Sequence, residues 1–130
     1  EDMAWERRVL LDGGTIAFEP TAEVEHSHRI SMKREFFRLY RDHKNLYELF
    51  GLQNVPSWER VRKGWAWQRN YYRELIAELD ITEREKRYWR LYTMPYALLE
   101  TTAQYLGARS HWKAKESKFW ASFDAWACAD

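Results

Sequence analysis

Near its start the chain carries side chains whose types and spacing could do chemistry: Asp2, His26 and His28. Asp2 stands where a helical pattern begins. A carboxylate there is favoured by unpaired backbone donors and the positive end of the helix dipole, so its plainest role is a cap and its chemical role would be to accept a proton. His26 and His28 lie two apart in a stretch that alternates, with Ala22, Val24, His26 and His28 on one side and Glu23, Glu25 and Ser27 on the other. On a strand both rings would project the same way, their Cα atoms about 6 to 7 Å apart. That spacing suits a shared metal or a shared site, and it equally suits one packed ring beside one solvent-facing ring. No HxxxH or CxxC pattern completes a zinc site.

The elements that must position these residues can be read from the pattern. Residues 2–12 read as a short helix stopped by Gly13-Gly14. Residues 15–18 and 22–28 read as two short strands separated by Glu19-Pro20. Past Ile30 the strand signal ends, and Ser31 can cap a helix that carries Phe36, Phe37, Tyr40, Leu46, Tyr47, Leu49 and Phe50 towards Gly51. Pro56-Ser57 opens a second long helix to about Leu79. Thr82 and Glu85 have capping-box spacing for a third, which runs to Gly107 and is expected to kink at Pro95. Ser110 is expected to cap a last helix through Trp112, Phe119, Trp120, Phe123 and Trp126. The fold class is therefore mainly α: a short helix and two short strands, then about four helices. The composition shift near Ile30 divides residues 1–30 from a helical extension, 31–130.

The 45% hydrophobic content of the 130 residues supports a folded chain, and eight Trp with eight Tyr suggest a Trp-studded helical core. With 21 Lys plus Arg against 20 Asp plus Glu, the net charge of +1 gives no global drive towards nucleic acid. Basic residues do alternate with aromatics from Lys33 to Arg69, but Glu35, Asp42, Glu48 and Glu59 intervene and Glu74 and Glu78 follow, which favours a salt-bridged solvated face. Trp65 and Trp67, two apart on a helix, cannot share a face, so either one of them is exposed or a neighbouring helix covers it. The lone Cys128 has no internal partner and fits a reducing compartment. No apolar run approaches the roughly 20 residues of a spanning helix.

Taken together, Glu1-Asp2-Met3-Ala4-Trp5, Arg8-Val9-Leu10, Gly13-Gly14-Thr15-Ile16, Phe18-Glu19-Pro20 and the run from Ala22 to His28 resemble the end of the GT-A domain in bacterial family 2 glycosyltransferases, particularly the rhamnosyltransferase-like group. Ser31 and Phe36-Phe37 continue the resemblance, which covers about the first fifty residues. It implies that Asp2 is the catalytic base, flanked by Glu1, and that Trp5 lies against the acceptor sugar. It implies further that His26, with His28 as second choice, helps to hold Mg²⁺ or Mn²⁺ against the donor diphosphate.

The implied partners are a nucleotide-sugar donor and a saccharide or lipid-linked acceptor of the cell envelope, with no nucleic acid. The implied location is cytoplasmic, with peripheral contact at the inner face of the membrane. The chain opens inside the motif without an initiator Met, and the nucleotide-binding half of such an enzyme is not in this sequence. The resemblance therefore describes a C-terminal part that would be inactive alone. The competing expectation is a non-catalytic helical protein-interaction module.

Overall fold

The computed structural model describes residues 2–21 and 31–129, Asp2 by its backbone alone. Among the described residues six helices follow in order: α1 (Asp2–Leu11), α2 (Met32–Phe50), α3 (Trp58–Glu78), α4 (Glu83–Gly107), α5 (Ser110–Glu116) and α6 (Lys118–Cys128). The mainly α expectation holds, while the strand expected at 15–18 does not form: 14–19 carries no regular structure, and Phe18 is fully open to solvent. A β-prone run needs a ladder partner to become a strand, and the partner expected at 22–28 lies outside the described residues.

The caps explain where each long helix begins and ends. Ser31 and Ser57 sit in extended backbone and accept from the N–H groups of Arg34 and Arg60. At Thr82 the capping box is complete, with Glu85 reaching back to the Thr82 N–H at 2.9 Å. Gly51 adopts φ 69° to close α2, its N–H bonding the Tyr47 carbonyl. Gly13, at φ 80°, closes α1 in the same left-handed region.

The last helix departs from expectation. Residues 108 and 109 keep helical dihedrals, so the chain never becomes extended ahead of Ser110, and a side-chain cap needs that extension. Ser110 is buried inside α5 instead. The break comes at Ser117, whose φ of −152° and ψ of 134° turn α6 away from α5 and back onto α2.

α4 is the central element, packed against α2 on one side and α3 on the other. The α3–α4 hairpin is antiparallel: Gly64 meets Thr101 near one end, and Lys86 Nζ reaches the Ala77 carbonyl, 3.0 Å away, near the other. A Trp-studded core does not form. Tyr40 is the one aromatic among the fully buried residues described, and the rest of the core is Val55, Val61, Ile76 and a set of alanines, including Ala97 and Ala103 of α4. Small residues on α4 let its neighbours come close, and that closeness leaves no room for indoles. Trp5, Trp58, Trp67, Trp89 and Trp126 remain exposed at the rims of the helix contacts.

The closest approach is at Gly107, where a Cβ would be driven into the backbone of Tyr40. On the far side of α2, Phe36, Phe37 and Tyr40 form edge-to-face contacts with Phe123 and Trp126 of α6, the Phe37–Trp126 centroids 4.6 Å apart. The proline in α4 is accommodated without ending the helix, and the neighbouring Met94 carbonyl accepts a hydrogen bond from Trp65 Nε1 at 3.1 Å.

Candidate functional site

The residues singled out by sequence fall mostly at the margin of what the structure describes. α1 starts at Asp2 as expected, but Glu1, His26, His28 and the Asp2 carboxylate lie outside the described residues. Trp5 is described, and its ring is 64% exposed on α1. α1 touches the helical body lightly, through Arg7 Nε donating to the Leu49 carbonyl at 2.9 Å. Among the described residues no group of three or more His, Cys, Asp or Glu side chains could hold a metal ion, and no helix is long and apolar enough to cross a membrane.

Two polar networks lie inside the helical body. Between α2 and α6, Tyr40 donates its hydroxyl to Asp124 Oδ1 at 2.8 Å, while Lys44 Nζ sits 2.7 Å from Asp124 Oδ2 and 3.7 Å from Cys128 Sγ. Burial, reinforced by the Asp124 hydrogen bond, pushes the Tyr40 phenol far above its ordinary range. Ser110 Oγ lies near enough to oppose that shift slightly, although its geometry falls short of a hydrogen bond. Burial works to lower the Lys44 ammonium, but the Asp124 hydrogen bond and the surrounding acidic groups outweigh it, and the net shift is upward.

In the second network, drawn from α2, α3 and α4, Tyr72 donates to Glu100 Oε2 at 2.8 Å, and buried Glu35 is paired with Arg38. Burial pushes Glu100 upward, the Tyr72 bond opposing it and the Glu35 charge adding to it. Burial together with the nearby carboxylates carries the Tyr96 phenol up to about 12. With their phenols neutral at pH 7 and their carboxylates accepting hydrogen bonds, both networks serve to join helices.

Among the described residues, an open cleft of about 450 Å³ lies between α3 and α4, within the size range of small-molecule pockets. From α3 come Arg60, Lys63, Gly64, Trp67 and Gln68, which fall on one face at helical spacing. α4 adds Thr101 and Gln104, and Asn54 and Val55 close one end. Gly64 brings the two helices together at the floor, where a Cβ would come to 2.9 Å from Thr101 Cγ2.

Trp67 is the exposed member of the Trp65/Trp67 pair, and it lies parallel to Tyr71 with centroids 5.6 Å apart. Gln68 Oε1 is buried without a hydrogen-bond partner. Asn54 also touches the interior: its Nδ2 is 3.4 Å from Nε2 of buried His43, whose Nδ1 is 3.0 Å from the Leu39 carbonyl. These partners assign the neutral Nδ1–H tautomer.

The cleft is not legible in the sequence alone, although part of its lining is one helical stripe there. Arg60, Lys63 and Trp67 belong in the sequence to the basic–aromatic run and the Trp65/Trp67 pair, and only the addition of Gln68 and Gln104 turns them into one lining. Comparisons with protein-family models, curated proteins and solved structures find no match to this chain.

Proposed function

We propose that the chain is the C-terminal part of an inverting family 2 glycosyltransferase, which moves a sugar from a nucleotide-sugar donor to a cell-envelope polysaccharide or glycolipid acceptor. The observation that carries the reading is the ordered constellation from Glu1-Asp2 through Trp5, Gly13-Gly14 and Phe18-Glu19-Pro20 to His26 and His28. Support comes from α1, which begins at Asp2, stops at a left-handed glycine and leaves Trp5 open on a helix that only grazes the rest of the chain. An element that belongs to a catalytic domain would have that exposed side.

In this reading the Asp2 carboxylate takes the proton from the acceptor hydroxyl as its oxygen attacks the anomeric carbon. Glu1 orients Asp2, and Trp5 supplies a flat apolar face to the acceptor ring. His26 and His28 are the residues that would help to hold a divalent ion, which supplies Lewis acidity to the leaving diphosphate. The donor pocket belongs to a preceding GT-A half outside this sequence, and the chain alone does not turn over, because positioning of the donor contributes much of the rate.

The test is sugar transfer by the chain joined to its upstream coding region, with Asp2→Asn as the variant. Turnover should fall about 10² to 10⁴-fold. Unchanged turnover, or an upstream frame without a nucleotide-binding domain, refutes the reading. A second reading, a helical module that binds a protein, draws on the exposed apolar side chains of α4, among them Tyr88, Trp89 and Leu91. It requires partner binding that survives deletion of residues 1–28.

A further inference from the structure

We propose that the α3–α4 cleft is a binding site for a phosphorylated saccharide. The proposal stands on the cleft alone and does not depend on the transfer reading.

The lining is specific in what it holds and in what it omits. Trp67 offers a broad apolar face at the mouth, held flat by its parallel contact with Tyr71, as a rigid platform for the C–H face of a sugar ring. Asn54, Gln68 and Gln104 supply carboxamides, each able to donate and accept at once, which matches the adjacent hydroxyls of a sugar. The Gln68 carboxamide is the least satisfied by the protein itself, since its buried oxygen has no partner. A side-chain rotation that brings it to a ligand hydroxyl removes that deficit.

The charges select the rest of the ligand. Arg60 and Lys63 lie in the lining, and no carboxylate does. Lys63 is already paired with Glu59 on the exposed side of α3, at 2.6 Å. The Arg60 guanidinium has no carboxylate partner among the described residues, and its planar fork is suited to two oxygens of one phosphate. An acid-free lining disfavours a bare metal ion. One exposed platform in an open cleft of this size fits a single ring better than a run of stacked bases, which needs successive aromatics along a basic groove.

The experiment is a titration of the isotopically labelled chain with a panel of hexose 1-phosphates, the parent hexoses and inorganic phosphate. It is read at the Trp67 indole N–H and at the carboxamides of Gln68 and Gln104. At least one sugar phosphate should shift these signals saturably, and its parent sugar and phosphate alone should bind at least tenfold more weakly. Arg60→Gln should remove the advantage of the sugar phosphate over its parent sugar. Trp67→Ala should weaken both about tenfold. Trp67 is exposed and Arg60 unpaired, so both variants keep the fold, which circular dichroism verifies.

The proposal is overturned if no sugar phosphate saturates these signals, if inorganic phosphate binds as tightly as the sugar phosphates, or if Trp67→Ala binds like the parent chain. A short single-stranded RNA that saturates the same signals more tightly than any sugar phosphate also overturns it. Absence of any sugar transfer by the chain joined to its upstream coding region, with cleft binding intact, would sink the glycosyltransferase reading and leave this one standing.

Discussion

Removing the Asp124 carboxylate should detach α6 from α2 energetically without disturbing the α2–α3–α4 body. Asp124 accepts from two groups at once, the Tyr40 hydroxyl at 2.8 Å and the Lys44 ammonium at 2.7 Å. Tyr40 is 1% exposed, so in Asp124→Ala its hydroxyl has no route to water, and leaving it without an acceptor costs about 2 kcal/mol. Lys44 is easier to satisfy: its side chain is 21% exposed, and it can turn outward, so its share is about 1 kcal/mol. The sum of about 3 kcal/mol corresponds to a drop in Tm of roughly 10 °C for a chain of this length.

Asp124→Asn separates the two shares. The amide oxygen can still accept from Tyr40 while the charge that holds Lys44 is gone, and the loss should be about 1 kcal/mol. A double-mutant cycle of Asp124→Asn with Lys44→Met, followed by denaturant unfolding, should return a coupling of about the same size. If Asp124→Ala melts within about 2 °C of the parent, the network contributes nothing measurable and α6 is held by its aromatic contacts alone.

Gly107→Ala should destabilise by about 3 kcal/mol, because the new Cβ meets the Tyr40 backbone and neither helix can yield without repacking. Gly51→Ala should cost only about 1 kcal/mol in the same unfolding assay, since a Cβ there meets nothing and the penalty is the left-handed backbone alone. Burial, opposed in part by the Leu39 carbonyl, holds the folded pKa of His43 below its ordinary value. The unfolded chain therefore takes up the proton first, and stability should fall as pH drops below about 6.5; His43→Gln should flatten that slope in a pH series of melts. Glu100 has the opposite sign: its folded pKa is raised, so its contribution is full below about pH 4 and is lost as pH rises through the folded value. Glu100→Gln should accordingly be stabilising at pH 7 relative to its effect at low pH, and an equal effect at both would refute the assignment.

The sequence announces boundaries better than it announces contacts. Ser31, Ser57, Thr82 with Glu85, Gly13 and Gly51 act over three or four residues, and each is found in the role its local chemistry predicts. Ser110 fails that test because a cap depends on the dihedrals ahead of it, and the tight packing of Gly107 on α2 keeps the chain helical through Arg109. The expected core failed for a related reason. An apolar stripe says which face of a helix turns inward, and it does not say that the closest approach will fall on Ala97, Ala103 and Gly107 and leave the indoles at the rim.

The cleft is a property of two helices at once. Arg60, Lys63, Trp67 and Gln68 share a face in any helix, but Gln104 joins them only through the register that Gly64 sets with Thr101. Of the five residues to which the resemblance gives a role at the site, Trp5 alone has a described side chain, and its exposure suits an outward contact. Cys128 turns out to be neither paired nor idle, since its sulfur lies within reach of Lys44 and Asp124.

The two glycine contacts of α4 also bear on how this sequence can drift. Thr101 lodges over Gly64 of α3, and six residues later Gly107 admits the backbone of Tyr40 from α2. Sliding α4 by one turn would lift both seats at once, so the helix is fixed in register by two gaps rather than by a large side chain. Such a lock is hard to change one mutation at a time. The crowding at position 107 comes from main chain, which no substitution on α2 removes, whereas at position 64 it comes from a threonine methyl that Thr101→Ser would take away. Among descendants of this chain, residue 64 should therefore be free to become alanine once residue 101 has shortened, while residue 107 should stay glycine for as long as α2 and α4 remain together.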